Sequence, residues 1–321
     1  MIIKDLVFDE VPVRVYWPRT PTINKRRAMV FLHGGVGLFG DISKFDPFCN
    51  YIGRKSDSVV VFVRFRLAPE HPYPVPVLDC CTATIHLLKN AERYGVDPNR
   101  IIIGGDSSGG TFAAAVCHEL ATRKDLPRVR AQVLLYPFLQ AVDFHLPSYQ
   151  QNSSIPLSYK KRFLRFGLLY LTGRNVKVDE VIRGAHVPEE LRVKYRKWVS
   201  ADIIPEEFKD RGYVPPVLAP FSKEFYEKGK QALEPMFSPL LVEDTVIRQL
   251  PDTFILTCEY DIFRDDGLLY KKRLEDNGVP VTWHHVKDGF HGISMLVDFG
   301  PFKFPSEQIR FQHVIRFLEC L

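Results

Sequence analysis

The chain has 321 residues, 45% of them hydrophobic and 25% charged, a balance that supports a sizeable buried core and excludes a disordered chain. Its formal net charge is +5, from 43 basic and 38 acidic residues. The basic residues alternate with acidic ones and form no stripe that could neutralise many phosphates, which excludes nucleic acid as an expected partner.

The first fifteen residues carry Lys4, Asp5, Asp9, Glu10 and Arg14. No apolar run anywhere approaches the roughly 18 residues of a spanning helix, so no signal peptide or membrane anchor is visible in the sequence. Short apolar runs follow at residues 28–32, 59–65, 101–103, 133–135, 253–258 and 281–286. Each is mostly apolar on both faces, as strands buried on both sides are, and the segments between them are long enough for crossover helices. The expected fold is α/β, with a mainly parallel central sheet flanked by helices. Across approximately residues 140–235 no β-run appears, and residues 160–171 and 189–199 read as amphipathic helices. This stretch is expected to be a helical lid inserted into a single domain that spans residues 1–321.

Six cysteines, Cys49, Cys80, Cys81, Cys117, Cys258 and Cys320, include no C-x-x-C pair and are too sparse for a disulfide scaffold or a zinc site. Asn152-Ser153-Ser154 is a glycosylation acceptor motif that matters only in a secretory chain.

The strongest chemical signal is Gly105-Asp106-Ser107-Ser108-Gly109, in which a buried run enters a G-x-S-x-G turn that leads into the helix-like residues 112–122. Such a turn presents a serine on a strained backbone at a helix N-terminus, where free N–H groups gather. Ser107 is the candidate nucleophile, with the Ser108 N–H facing the same space. Upstream, His33-Gly34-Gly35 ends a strand, and Gly34 and Gly35 are candidate oxyanion donors. Downstream, Asp261 stands at a strand's C-terminal end, where α/β sheets place functional groups. His291 follows the run 281–286 in a flexible, glycine-flanked loop. Ser107, Asp261 and His291 occur in the order expected of a nucleophile, an orienting carboxylate and a general base. His284 and His285 are rivals for the base but fall within a strand pattern. Asp265 and Asp266 are rivals for the carboxylate but resemble helix-capping residues.

With these residues in view the chain resembles the hormone-sensitive-lipase-type α/β-hydrolases, and among them the arylacetamide deacetylase-like proteins. The resemblance spans nearly the whole chain. It rests on His33-Gly34-Gly35, on Arg66 to Pro74, on Gly105 to Gly110, on Cys258-Glu259-Tyr260-Asp261 and on Asp288-Gly289-Phe290-His291-Gly292. It implies a metal-free serine esterase or deacetylase, without cofactor, acting on small lipophilic esters, aryl amides or acylglycerols. It also implies the endoplasmic reticulum membrane as location, through a signal anchor for which this chain, starting about one strand before His33, shows no counterpart. The family's third glycine is replaced by Val36. A β-branched residue does not readily adopt positive φ, so Gly35 is expected to donate while Val36 turns away or crowds the acyl group. An alternative that this substitution motivates is a catalytically impaired relative that binds a small lipophilic ligand. Residues 159–170 allow either a membrane-surface helix or a lid helix packed on the body, and Arg66 to Pro74 reads as a structural connection.

Overall fold

The computed structural model describes residues 1–155, 159–297 and 305–321, the stretch 305–310 by its backbone. Eight strands form one sheet: β1 (Ile2–Phe8), β2 (Val11–Trp17), β3 (Arg26–Leu32), β4 (Val59–Val63), β5 (Val96–Asp106), β6 (Ala131–Leu135), β7 (Asp252–Tyr260) and β8 (Val281–Phe290), in the order β1-β2-β4-β3-β5-β6-β7-β8. The β1–β2 and β2–β4 pairings are antiparallel, and every other pairing is parallel.

Strand periodicity sorts side chains onto two faces. Ala28, Val30 and Leu32 of β3 face one apolar cluster, and Met29 and Phe31 face the other. The first face is covered by α2 (Val75–Asn90), α3 (Ser108–Ala121) and α10 (Arg264–Asp276). The second is covered by α1 (Ile42–Lys55) and α11 (Pro305–Glu319). Between β6 and β7 the described residues form only short helices: α4 (Pro147–Gln151), α5 (Lys160–Thr172), α6 (Asp179–Ile182), α7 (Glu189–Tyr195), α8 (Lys223–Gly229) and α9 (Asp244–Ile247), with 3₁₀ turns.

Three differences from the sequence expectation bear on the site. Three strands, not one, precede His33, because the first residues pair as the β1–β2 hairpin. The segment 287–290, expected as a loop, continues β8, so His291 stands directly at a strand end. A register shift between Cys258 and Tyr260 accommodates that extension. The helix expected over 189–199 stops at Tyr195. Among the described residues, no helix is long and apolar enough to cross a membrane.

Candidate active site

β5 ends at Asp106, α3 begins at Ser108, and Ser107 between them is held at φ 55° and ψ −124°. A serine at positive φ is strained, and it persists because the turn is braced on both sides. The Ser107 N–H donates to Leu135 O at 2.9 Å. A Cβ on Gly109 would sit 2.0 Å from Leu32 O, so only glycine lets α3 start this close to β3.

The three residues read as nucleophile, carboxylate and base come together. Ser107 Oγ lies 2.8 Å from His291 Nε2, and His291 Nδ1 lies 2.8 Å from Asp261 Oδ2. An ionised carboxylate can only accept, so the proton of that second bond sits on Nδ1, leaving the Nε2 lone pair to the Ser107 hydroxyl. Asp261 is fully buried, and its other oxygen accepts from the Phe263 N–H at 2.9 Å. The rings of Tyr136, Phe163 and Phe263 meet His291 edge-on at 5.1–5.2 Å and fix its plane. The rivals are occupied elsewhere. His285 binds Glu259 Oε2 and Thr257 Oγ1, and His284 stacks on His313. Asp265 and Asp266 do not cap their own helix. They are fully buried and accept from the backbone N–H groups of Ser148 and Leu139, which ties the segment after β6 to α10.

The loop after β3 corrects two expectations. Gly34 is not a free donor: its N–H gives a 2.8 Å bond to Asp106 Oδ1, a carboxyl whose pKa burial pushes up to about 6. Val36 does adopt positive φ, at 59°, and directs its N–H to Ser108 Oγ at 2.8 Å while its side chain lines the pocket. Gly35 has φ 112°, and a Cβ there would lie 2.0 Å from Phe39 O. Among the described residues, the N–H groups of Gly35 and Ser108 have no protein acceptor. His33 stacks on Phe65 and Phe62 with Nδ1 2.7 Å from Gly34 O, and burial lowers its pKa to about 4.

Ser107 opens into a pocket of about 850 Å³, its mouth included, walled by Phe112, Phe138, Phe163, Leu168, Tyr170 and Phe237 among others. α5 supplies much of this wall with Phe163, Leu164, Gly167, Leu168 and Leu171, so it packs on the body as a lid helix does. Its basic residues Lys161 and Arg165 remain exposed.

Asn152 is also corrected. It is fully buried, and the nitrogen that a glycan would need donates to Glu259 O at 3.0 Å and Asp261 O at 2.9 Å. The sequon therefore cannot carry a sugar in this fold; its asparagine braces the chain at Asp261. Sequence reasoning assigned no role to Asp106, Tyr136 or this bracing. Tyr136 OH hydrogen-bonds Ser294 Oγ and accepts from the Ser294 N–H, which holds the turn after His291. The adjacency of Asp106 to Ser107 was the only signal for it; the other two arise from long-range packing.

A mainly parallel sheet with a strained strand-to-helix serine, hydrogen-bonded to a histidine that in turn bonds an aspartate, the two standing at the ends of the last two strands, is the architecture of the α/β-hydrolase class. A sequence profile described as α/β hydrolase fold matches residues 29–190 and 200–295. Human arylacetamide deacetylase-like 3 is 43% identical over 321 residues, all of this chain and 79% of that protein. Bovine arylacetamide deacetylase is 39% identical over 299 residues, 91% of this chain and 74% of that protein. A solved thermostable esterase from Pseudomonas putida ECU1011 superposes with a TM-score of 0.70 at 21% identity, over 99% of this chain and 82% of that one, and shares the fold. The chain belongs to the α/β-hydrolase family, among its arylacetamide deacetylase-like proteins.

Proposed function

We propose that this protein is a serine carboxylic ester hydrolase that cleaves small lipophilic esters or aryl amides through an acyl-enzyme. The observation that carries the reading is the unbroken chain of hydrogen bonds Ser107–His291–Asp261 at the base of an apolar pocket. In this mechanism His291 Nε2 takes the Ser107 proton as Oγ attacks the carbonyl carbon, and Asp261 stabilises the imidazolium. The N–H groups of Gly35 and Ser108 receive the developing oxyanion. His291 then protonates the leaving alkoxide or amine, and water, deprotonated by the same nitrogen, releases the acid. The wall of aromatic and aliphatic side chains favours a lipophilic acyl or leaving group, with residues 140–235 acting as the lid. The relatives' names support aryl amides beside esters.

The test is rapid mixing with a short-chain aryl ester. A burst of product equal to the enzyme concentration, absent in Ser107→Ala, is expected. Turnover that survives in Ser107→Ala, or its absence from folded wild type, rejects the proposal. Absence from folded wild type favours the ligand-binding alternative.

A further inference from the structure

The loop after β3 carries three consecutive amides beside Ser107, and two of them are committed. The Gly34 N–H is bound by Asp106, and the Val36 N–H is bound by the Ser108 hydroxyl. The loop lies hard against the nucleophile, since a Cβ on Gly34 would come within 3.0 Å of Ser107 Cβ. Ser108 is the first residue of α3, is half-buried, and lines the pocket together with Ser107 and Val36.

A hydroxyl that accepts one hydrogen bond still has its own proton to give, and accepting makes it a stronger donor. Among the described residues no acceptor takes the Ser108 hydroxyl proton, and its oxygen is fixed by a backbone N–H that cannot swing away without changing the φ of Val36. On the ester-hydrolase reading above, we propose that the Ser108 hydroxyl is a third oxyanion donor, through which the Val36 amide acts on the reacting carbonyl. As the bond from Ser107 Oγ to carbon forms, the carbonyl π pair moves to oxygen, and the Ser107 proton goes to His291 Nε2. The Ser108 O–H donates a hydrogen bond to that oxygen and keeps its proton. When the carbonyl reforms, the leaving group departs with the proton from His291, and the Ser108 hydroxyl returns to its resting state.

Steady-state kinetics on the aryl ester, with inhibition by an aryl trifluoromethyl ketone that Ser107 would convert to a hemiketal anion, test this in the full chain. Loss of one such donor typically lowers kcat by 10²–10³-fold. Because Ser108→Ala also uncovers the Val36 N–H, a fall of roughly 10- to 100-fold is expected, with KM little changed, ketone affinity weakened in proportion and the melting temperature unchanged. Ser108→Thr should restore most of the activity. If Ser108→Ala does not fold, Ser108→Cys, which keeps the shape and weakens the donor, should show the same loss at smaller amplitude. An unchanged or raised kcat in these variants, or an effect confined to KM, overturns the inference. Wild type that neither turns over the ester nor forms a Ser107 adduct overturns the hydrolase reading itself, and this role with it.

Discussion

Asn152→Ala removes the brace on the chain that presents Asp261. Three side-chain hydrogen bonds are lost from a fully buried position: the two donated to Glu259 O and Asp261 O, and the one that Oδ1 accepts from Arg211 Nη2 at 3.3 Å. Leaving a buried acceptor unpaired costs about 1–3 kcal/mol. Both carbonyls keep a second donor, Arg211 Nη2 at 3.1 Å on Glu259 O and the Arg264 N–H at 3.3 Å on Asp261 O, so the lower end applies to each. Together with a small cavity, the expected destabilisation is about 2–3 kcal/mol. The Phe263 N–H still holds one carboxylate oxygen of Asp261, so the carboxylate shifts without being released, and kcat should fall roughly tenfold with KM unchanged. Urea unfolding and aryl-ester kinetics on the same preparation read both effects. An Asn152→Ala protein as stable and as active as wild type would show that this amide does not position Asp261.

Val36→Gly should stabilise the fold by up to about 1 kcal/mol in urea unfolding, because a valine at φ 59° is strained by about 1–2 kcal/mol, partly offset by glycine's freedom when unfolded. The N–H keeps its Ser108 partner, so turnover should change by less than about threefold; a tenfold rise would locate the limit on rate in the valine side chain. His118 is buried with Nε2 2.8 Å from Tyr270 OH, and burial lowers its pKa to about 3. The unfolded chain binds that proton near pH 6.5 and the folded chain does not, so this group favours unfolding as pH falls from 6.5 toward 3. His118→Gln should lose about 2 kcal/mol less stability than wild type between pH 6.5 and 5, and an unaltered slope in pH-dependent unfolding would contradict the assignment.

Five of the six strand runs and the Ser, Asp, His order were legible because each depends on local pattern: apolar runs buried on both faces, and glycine-flanked turns at their ends; the sixth, 281–286, forms the edge strand β8 and is only partly buried. The β1–β2 hairpin was less legible, since Ile2, Ile3 and Val7 are exposed on an edge strand and charged residues separate them. Lys287-Asp288-Gly289 reads as a loop by composition, yet it continues β8 beside β7, where neighbouring backbone overrides propensity. Sequence named the glycines of the loop after β3 but not the directions of their amides. Those follow from Asp106 and Ser108, which capture Gly34 and Val36 and leave Gly35 open. A sequon likewise carries no information on burial, and Asp265 and Asp266 resemble caps until the segment after β6 folds back onto them.

The most direct test of the central claim is intact-mass analysis of the folded protein after treatment with a fluorophosphonate, with peptide mapping of the adduct. One adduct per chain, located on Ser107, abolished by Ser107→Ala and strongly slowed by His291→Ala, is the expected result. No adduct in folded wild type, or an adduct that persists when Ser107 is replaced, would contradict it.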